Sequence, residues 1–132
     1  MKEKKLILIA EDEVALGRAL SNRIAQEGYE VEVVGDGKEC LEYVRNKKPD
    51  LLILDLLMPV VGGAVALKKI REDEDLKDLP IIVLSNSNDM EVVSEIMQLG
   101  VTDYLVKADS PIEVIMNKVN SKLRPASESE EK

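Results

Sequence analysis

The 132-residue chain has no histidine, no tryptophan and no phenylalanine. Without an imidazole it has no histidine base, no histidine metal ligand and no phosphohistidine of its own making. Its aromatic residues are Tyr29, Tyr43 and Tyr104, so the core has to be aliphatic. A lone cysteine, Cys40, excludes an internal disulfide, and a free thiol fits a reducing interior. Lying in a helix-like stretch, it reads as a small half-buried residue. Met1-Lys2-Glu3-Lys4-Lys5 is followed by only about five strongly apolar residues, too few for a signal peptide or a membrane span. A cytoplasmic location with no membrane partner is therefore expected. Basic residues are outnumbered, 18 against 26 acidic, and the formal net charge of -8 argues against non-specific nucleic-acid binding. The length suits one domain, expected over residues 1–124, with 125–132 as an acidic tail expected to be disordered.

What the sequence does have is Leu51-Leu52-Ile53-Leu54-Asp55, an apolar run ending in one carboxylate and followed by Leu56-Leu57-Met58-Pro59. An ionised carboxylate beside apolar side chains costs several kcal/mol unless it is paired or metal-bound. Other strand-like runs supply its partners. Leu6-Ile7-Leu8-Ile9-Ala10 ends in Glu11-Asp12-Glu13, Ile81-Ile82-Val83-Leu84 ends in Ser85, and Asp103-Tyr104-Leu105-Val106 ends in Lys107. Open parallel sheets place their ligand crevice at such strand ends.

Short strand-like runs alternate with segments of helical period along the whole chain. Strands are expected at Lys5 to Ala10, Glu30 to Val34, Leu51 to Leu54, Ile81 to Ser85 and Thr102 to Val106. The alternation Glu30, Val31, Glu32, Val33 marks a half-exposed strand near an edge, whereas the unbroken Leu51 to Leu54 predicts burial on both faces. Helices are expected at Val14 to Glu27, Lys38 to Asn46, Ala64 to Glu72 and Asp89 to Leu99, with Gly28 and Gly100 as stops. A last helix opens with Ser110 as cap, Pro111 at its first position and Glu113 three residues after the cap. Its stripe of Ile112, Ile115, Met116, Val119 and Leu123 should face the sheet. Met90, Met97 and Met116 are expected to fill gaps in the aliphatic core. Five strands in (βα)5 order with right-handed crossovers make a doubly wound, flavodoxin-like α/β domain with a five-stranded parallel sheet in order 2-1-3-4-5.

If Glu11, Asp12, Asp55, Ser85 and Lys107 meet at one rim, three carboxylates face one ammonium, and a hard divalent cation would relieve the excess charge. Carboxylate oxygens suit Mg2+. Asp55 could then attack a phosphoryl group while Lys107 and the Ser85 hydroxyl hold its oxygens, leaving an acyl phosphate on Asp55. Taken alone, Glu11-Asp12-Glu13 would read as acidic caps of the first helix.

These residues carry a resemblance. From about Lys5 to Leu123 the chain resembles the receiver domains of two-component response regulators. The likeness rests on Glu11-Asp12, on Ile53-Leu54-Asp55-Leu56-Leu57-Met58-Pro59 with Gly63, on Ser85, and on Tyr104-Leu105-Val106-Lys107. It implies a single-domain phosphoacceptor in which Asp55 takes the phosphoryl group, Asp12 binds Mg2+ directly, and Glu11 does so directly or through water. The Leu57 backbone carbonyl is implied as a further metal ligand, Lys107 as the phosphoryl-contacting lysine, and Ser85 with Tyr104 as the switch pair. The implied donor is a phosphohistidine on a histidine kinase or histidine phosphotransfer protein. The implied output is an altered face of helix four, strand five and helix five for another protein to bind, in a monomer or weak dimer that is no turnover enzyme.

Several positions depart from the family pattern; Glu11 in place of the commoner Asp is a tolerated variation expected to cost little. Ala108 stands where a proline usually follows the lysine. A cis Lys107–Ala108 bond would cost about 3 kcal/mol, so a trans bond and a rearranged loop are expected. Asn86 stands where Ala or Gly is usual; with the apolar Leu57 it points to a long-lived phosphorylated state. A haloacid-dehalogenase phosphatase would need a second acid at position 57, and a nucleotide binder would need a glycine-rich loop after strand one in place of Ala10-Glu11-Asp12-Glu13. The remaining alternative is a degenerate receiver serving as a constitutive interaction module or phosphate sink.

Overall fold

The computed structural model describes residues 4–58, 60–86, 89–101 and 103–123. The expected acidic tail, Pro59 and the first residue of the expected fifth strand, Thr102, lie outside them. Chain order is β1 (Leu6–Ala10), α1 (Val14–Gln26), β2 (Glu30–Val34), α2 (Gly37–Lys47), β3 (Leu51–Leu54), α3 (Gly63–Glu72), β4 (Ile81–Ser85), α4 (Met90–Gln98), β5 (Asp103–Val106) and α5 (Ile112–Leu123). A 3-10 turn, Lys107–Asp109, joins β5 to the last helix. None of the helices is long and apolar enough to cross a membrane, among the described residues.

The strands pair in parallel in the order β2-β1-β3-β4-β5, the flavodoxin-like arrangement. Central β1, β3 and β4 are almost wholly buried because helices cover both faces of the sheet. Their alternate side chains feed two cores. Leu8, Leu52, Leu54, Ile81 and Val83 pack with α2, α3 and Ile96 of α4. Ile7, Ile9, Leu51, Ile53, Ile82 and Leu84 pack with α1 and α5. Edge strand β2 keeps the half-exposed pattern its alternating glutamates imply.

Local chemistry sets the helix ends. The Asp36 side chain accepts from the Glu39 backbone N–H at the start of α2, and Glu39 Oε1 accepts from Gly35 N–H in return, both at 2.8 Å. Gly28 and Gly100 have φ of +99° and +86°, as stops at those positions require. The expected start of the last helix is shifted by one residue. Ser110 closes the 3-10 turn by donating its N–H to the Lys107 carbonyl, and the Pro111 carbonyl accepts from Ile115 as the first residue before α5. Glu113 does not reach back to a cap, because Arg23 of α1 takes both its carboxylate oxygens at 2.7 and 3.0 Å.

The α5 stripe faces the sheet as expected, with Ile115, Met116 and Val119 buried and Ile112 and Leu123 packed at the margin. Of the three methionines, only Met116 is a core residue. Met90 and Met97 are exposed because α4 turns Ile96 inward and both sulfurs lie off that side. Cys40 is fully buried rather than half-buried; burial first, then the Asp36 charge, pushes its thiol up to about 12.

Candidate functional site

Strand order reverses at β1, whose neighbours are β2 and β3, so the crevice of the fold opens between the C-terminal ends of β1 and β3. Register places the acids there. Ala10 lies opposite Leu54, and the Asp55 N–H donates to the Ala10 carbonyl at 3.0 Å, so Glu11 and Asp55 leave adjacent strands side by side. One carboxylate oxygen each from Glu11, Asp12 and Asp55 lies within 4.8 Å of the others. Glu11 and Asp55 are only 4% and 3% exposed, whereas Asp12 faces solvent.

Lys107 arrives at the end of β5 and closes the cluster. Its Nζ donates to Asp55 Oδ2 at 3.1 Å, to Glu11 Oε2 at 3.0 Å and to Glu13 Oε1 at 2.8 Å. Burial disfavours the ammonium, but hydrogen bonds to Glu13, Glu11 and Asp55 outweigh it and hold Lys107 above its ordinary value. Burial acts the other way on Glu11. It raises that carboxyl, with the Asp55 charge adding to it, against hydrogen bonds from the Glu13 N–H and Lys107. Three carboxylates, those of Glu11, Glu13 and Asp55, thus share one lysine.

The backbone fixes Asp55 closely. Asp55 Oδ1 accepts from the Leu57 N–H at 3.1 Å, and the Gly63 N–H donates to the Leu56 carbonyl at 2.9 Å. A Cβ at Gly63 would sit 2.1 Å from the Asp55 carbonyl oxygen, so only glycine lets α3 begin this close to the Asp55 loop. The Leu57 side chain points to solvent.

Ser85 ends β4 and is fully buried. Val83 pairs with Tyr104 in register, and side chains two residues apart share a face, so Ser85 and Tyr104 lie on the same side of the sheet. Tyr104 is half-buried against the core formed with α2, α3 and α4. The Lys107–Ala108 peptide is trans, and the rearranged loop expected for it is the 3-10 turn. Asn86 Oδ1 accepts from the Ala108 N–H at 3.0 Å.

Glu11, Asp12, Asp55 and Lys107 meet at the mouth of this crevice, and Ser85 and Tyr104 lie on the sheet face beside it. In sequence Glu13 stands among the strand-end acids or as a cap of the first helix. It is the residue before α1, yet it makes no side-chain cap bond and turns to Lys107 instead. The third acid in the run was visible; nothing in a linear pattern says whether a cap residue serves its own helix or reaches across. The Asn86 bond to Ala108 was equally hidden, although both positions stood out separately.

The donor set fits a hard divalent cation: three carboxylates converge, two of them buried, and one lysine offsets only part of their charge. The residues that match the family described as "Response regulator receiver domain" run from 7 to 120. Over 111 residues the chain is 36% identical to the "Probable transcriptional regulator ycf27" of Cyanophora paradoxa, covering 84% of this chain and 45% of that protein. The chain spans about half the length of the curated relatives it matches. The crystal structure of the phosphorylated cyanobacterial phytochrome response regulator RcpA superposes with a TM-score of 0.87 at 29% identity, covering 94% of this chain and 97% of that one. The Mn2+-bound form of response regulator Rcp1 gives a TM-score of 0.78 at 25% identity over 92% and 96% of the two chains.

Proposed function

The chain belongs to the response regulator receiver domain family, and from that premise we propose that it is a phosphoacceptor switch in which Asp55 receives a phosphoryl group from a phosphohistidine on a histidine kinase or histidine phosphotransfer protein. The observation that carries this reading is a buried Asp55 carboxylate held 3.1 Å from Lys107 Nζ, with Glu11 and Asp12 oxygens within 4.8 Å.

In the step itself, an Asp55 oxygen attacks phosphorus in line with the donor's P–N bond. The O–P bond forms as the P–N bond breaks, and the departing imidazole nitrogen takes up a proton. Phosphoryl transfer depends on alignment and charge neutralisation more than on covalent help. Lys107 is already poised to meet an equatorial oxygen, and the Ser85 hydroxyl would meet another. Glu11, Asp12 and Asp55, with the Leu57 backbone carbonyl, would hold Mg2+, which when bound supplies neutralisation of the transferring oxygens. That this chain has no histidine of its own fits a donor on another protein.

Drawing Ser85 toward the new phosphoryl group would free space for Tyr104 to turn inward and reshape the face of α4, β5 and α5. This is a shift between two populated states. The output is a changed protein-binding surface in the cytoplasm rather than turnover of a separate substrate. With a net charge of -8, this chain's proposed partners are proteins and not nucleic acid, even though a relative about twice its length is named a transcriptional regulator. Asn86 at the mouth and the apolar Leu57, which offers no group to orient a hydrolytic water, favour a long-lived phosphorylated form. The assembled carboxylates and lysine speak against a degenerate module.

The test is incubation with phosphoramidate, whose P–N bond mimics phosphohistidine, and Mg2+, followed by borohydride reduction and peptide mass analysis. Homoserine at position 55 is the expected product. Homoserine at any other position, or no homoserine at all, would refute the assignment.

A further inference from the structure

The residue after Ser85 and the residue after Lys107 are bonded to each other. Asn86 Oδ1 accepts from the Ala108 backbone N–H at 3.0 Å, joining the end of β4 to the 3-10 turn after β5. The first N–H groups of any helical turn have no acceptor within it and need one from outside. Val106, which precedes this turn, provides no side-chain cap. The acceptor comes from the end of the neighbouring strand β4 instead, from a side chain 22 residues earlier.

We propose that Asn86 is a positioning residue for Lys107: its side-chain oxygen caps the turn that begins with Lys107 and so fixes the ammonium over Asp55, tying the lysine to the Ser85 strand end. This rests on Asp55 being the phosphoacceptor. The chemistry needs both unusual residues together. A proline at 108 would have no N–H to donate, and an alanine at 86 would have no oxygen to accept it. The two departures therefore make one interaction. Asn86 itself is exposed and touches none of the reacting atoms, so it acts through the backbone of Lys107. Because Ser85 and Asn86 are adjacent, a movement of Ser85 toward a phosphoryl group pulls on the turn that holds the lysine. The two phosphoryl-binding side chains are then set by one linkage rather than independently.

Two readouts on the whole chain test this. In the unphosphorylated protein, hydrogen exchange at the Ala108 amide should accelerate about fivefold in Asn86→Ala, as loss of a hydrogen bond worth about 1 kcal/mol implies. The initial rate of phosphorylation by acetyl phosphate with Mg2+ should fall about fivefold in Asn86→Ala but not at all when Asn86→Ala is added to Lys107→Ala, since coupled residues are non-additive. A role of Asn86 in donor access or general stability would persist without Lys107. Unchanged Ala108 exchange, or an Asn86→Ala effect of equal size in both backgrounds, would overturn the proposal. Should the native chain accept no phosphoryl group, the phosphoacceptor reading fails, and the exchange measurement still decides whether Asn86 caps the turn.

Discussion

Lys107 holds three carboxylates at once, and two of them, Glu11 and Asp55, have almost no access to water. Removing one partner of a buried ion pair leaves the other charge uncompensated, whereas an exposed arm such as Glu13 contributes little. Lys107→Ala should therefore cost the metal-free protein about 3 kcal/mol. Mg2+ would occupy the same oxygens, so urea denaturation with saturating Mg2+ should show most of that loss recovered; an equal loss with and without the metal would contradict the shared-oxygen account. Gly63 makes a second prediction at this scale. With a Cβ placed 2.1 Å from the Asp55 carbonyl, the backbone must shift. Gly63→Ala should lower stability by about 2 kcal/mol or more in the same assay, and a neutral result would show that the loop relaxes freely.

The edge of the sheet and its last helix are joined by charge. Asp103 of β5 pairs with Lys118 and Lys122 of α5. Burial pushes the Asp103 carboxyl up, but hydrogen bonds from Lys122 and Lys118 outweigh it and leave it below its ordinary value. For a carboxyl lowered on folding, the stabilisation is complete above the unfolded carboxyl range and disappears as pH falls through the folded value. Asp103→Asn should thus destabilise the protein at neutral pH, by about 1 kcal/mol given the partial exposure of the lysines. The gap between native and variant midpoints should close in acid, and a gap constant with pH would remove these ion pairs from the account. The elements themselves were largely readable because each obeys one dominant pattern: the unbroken apolar run Leu51 to Leu54 marks a doubly buried strand, and Gly28 and Gly100, both at positive φ, close the helices before them. What escaped depends on neighbours distant in sequence. Glu113 looked like half of a capping box until Arg23, 90 residues earlier, claimed it. Met90 and Met97 have core chemistry, but which side of α4 is covered is decided by the sheet beneath Ile96. The site was legible as a set of strand-end residues; the route by which Glu13 and Asn86 join it was not, since side-chain direction at a loop has no period.

At the scale of the molecule, the sheet order gathers groups from the ends of β1, β3, β4 and β5 at one rim, and this gives a sequence with scattered acids a single chemical centre. Strand ends can do this because parallel crossovers return every C-terminus to the same side. The account's central claim is that the centre makes an acyl phosphate on Asp55 with help from a divalent cation. Intact mass after incubation with acetyl phosphate, with and without Mg2+, on the native chain and on Asp55→Ala, tests it most directly. The account predicts addition of one phosphoryl mass to the native chain, dependent on Mg2+ and absent from Asp55→Ala. Addition that persists in Asp55→Ala, or no addition to the native chain in the presence of Mg2+, would contradict it.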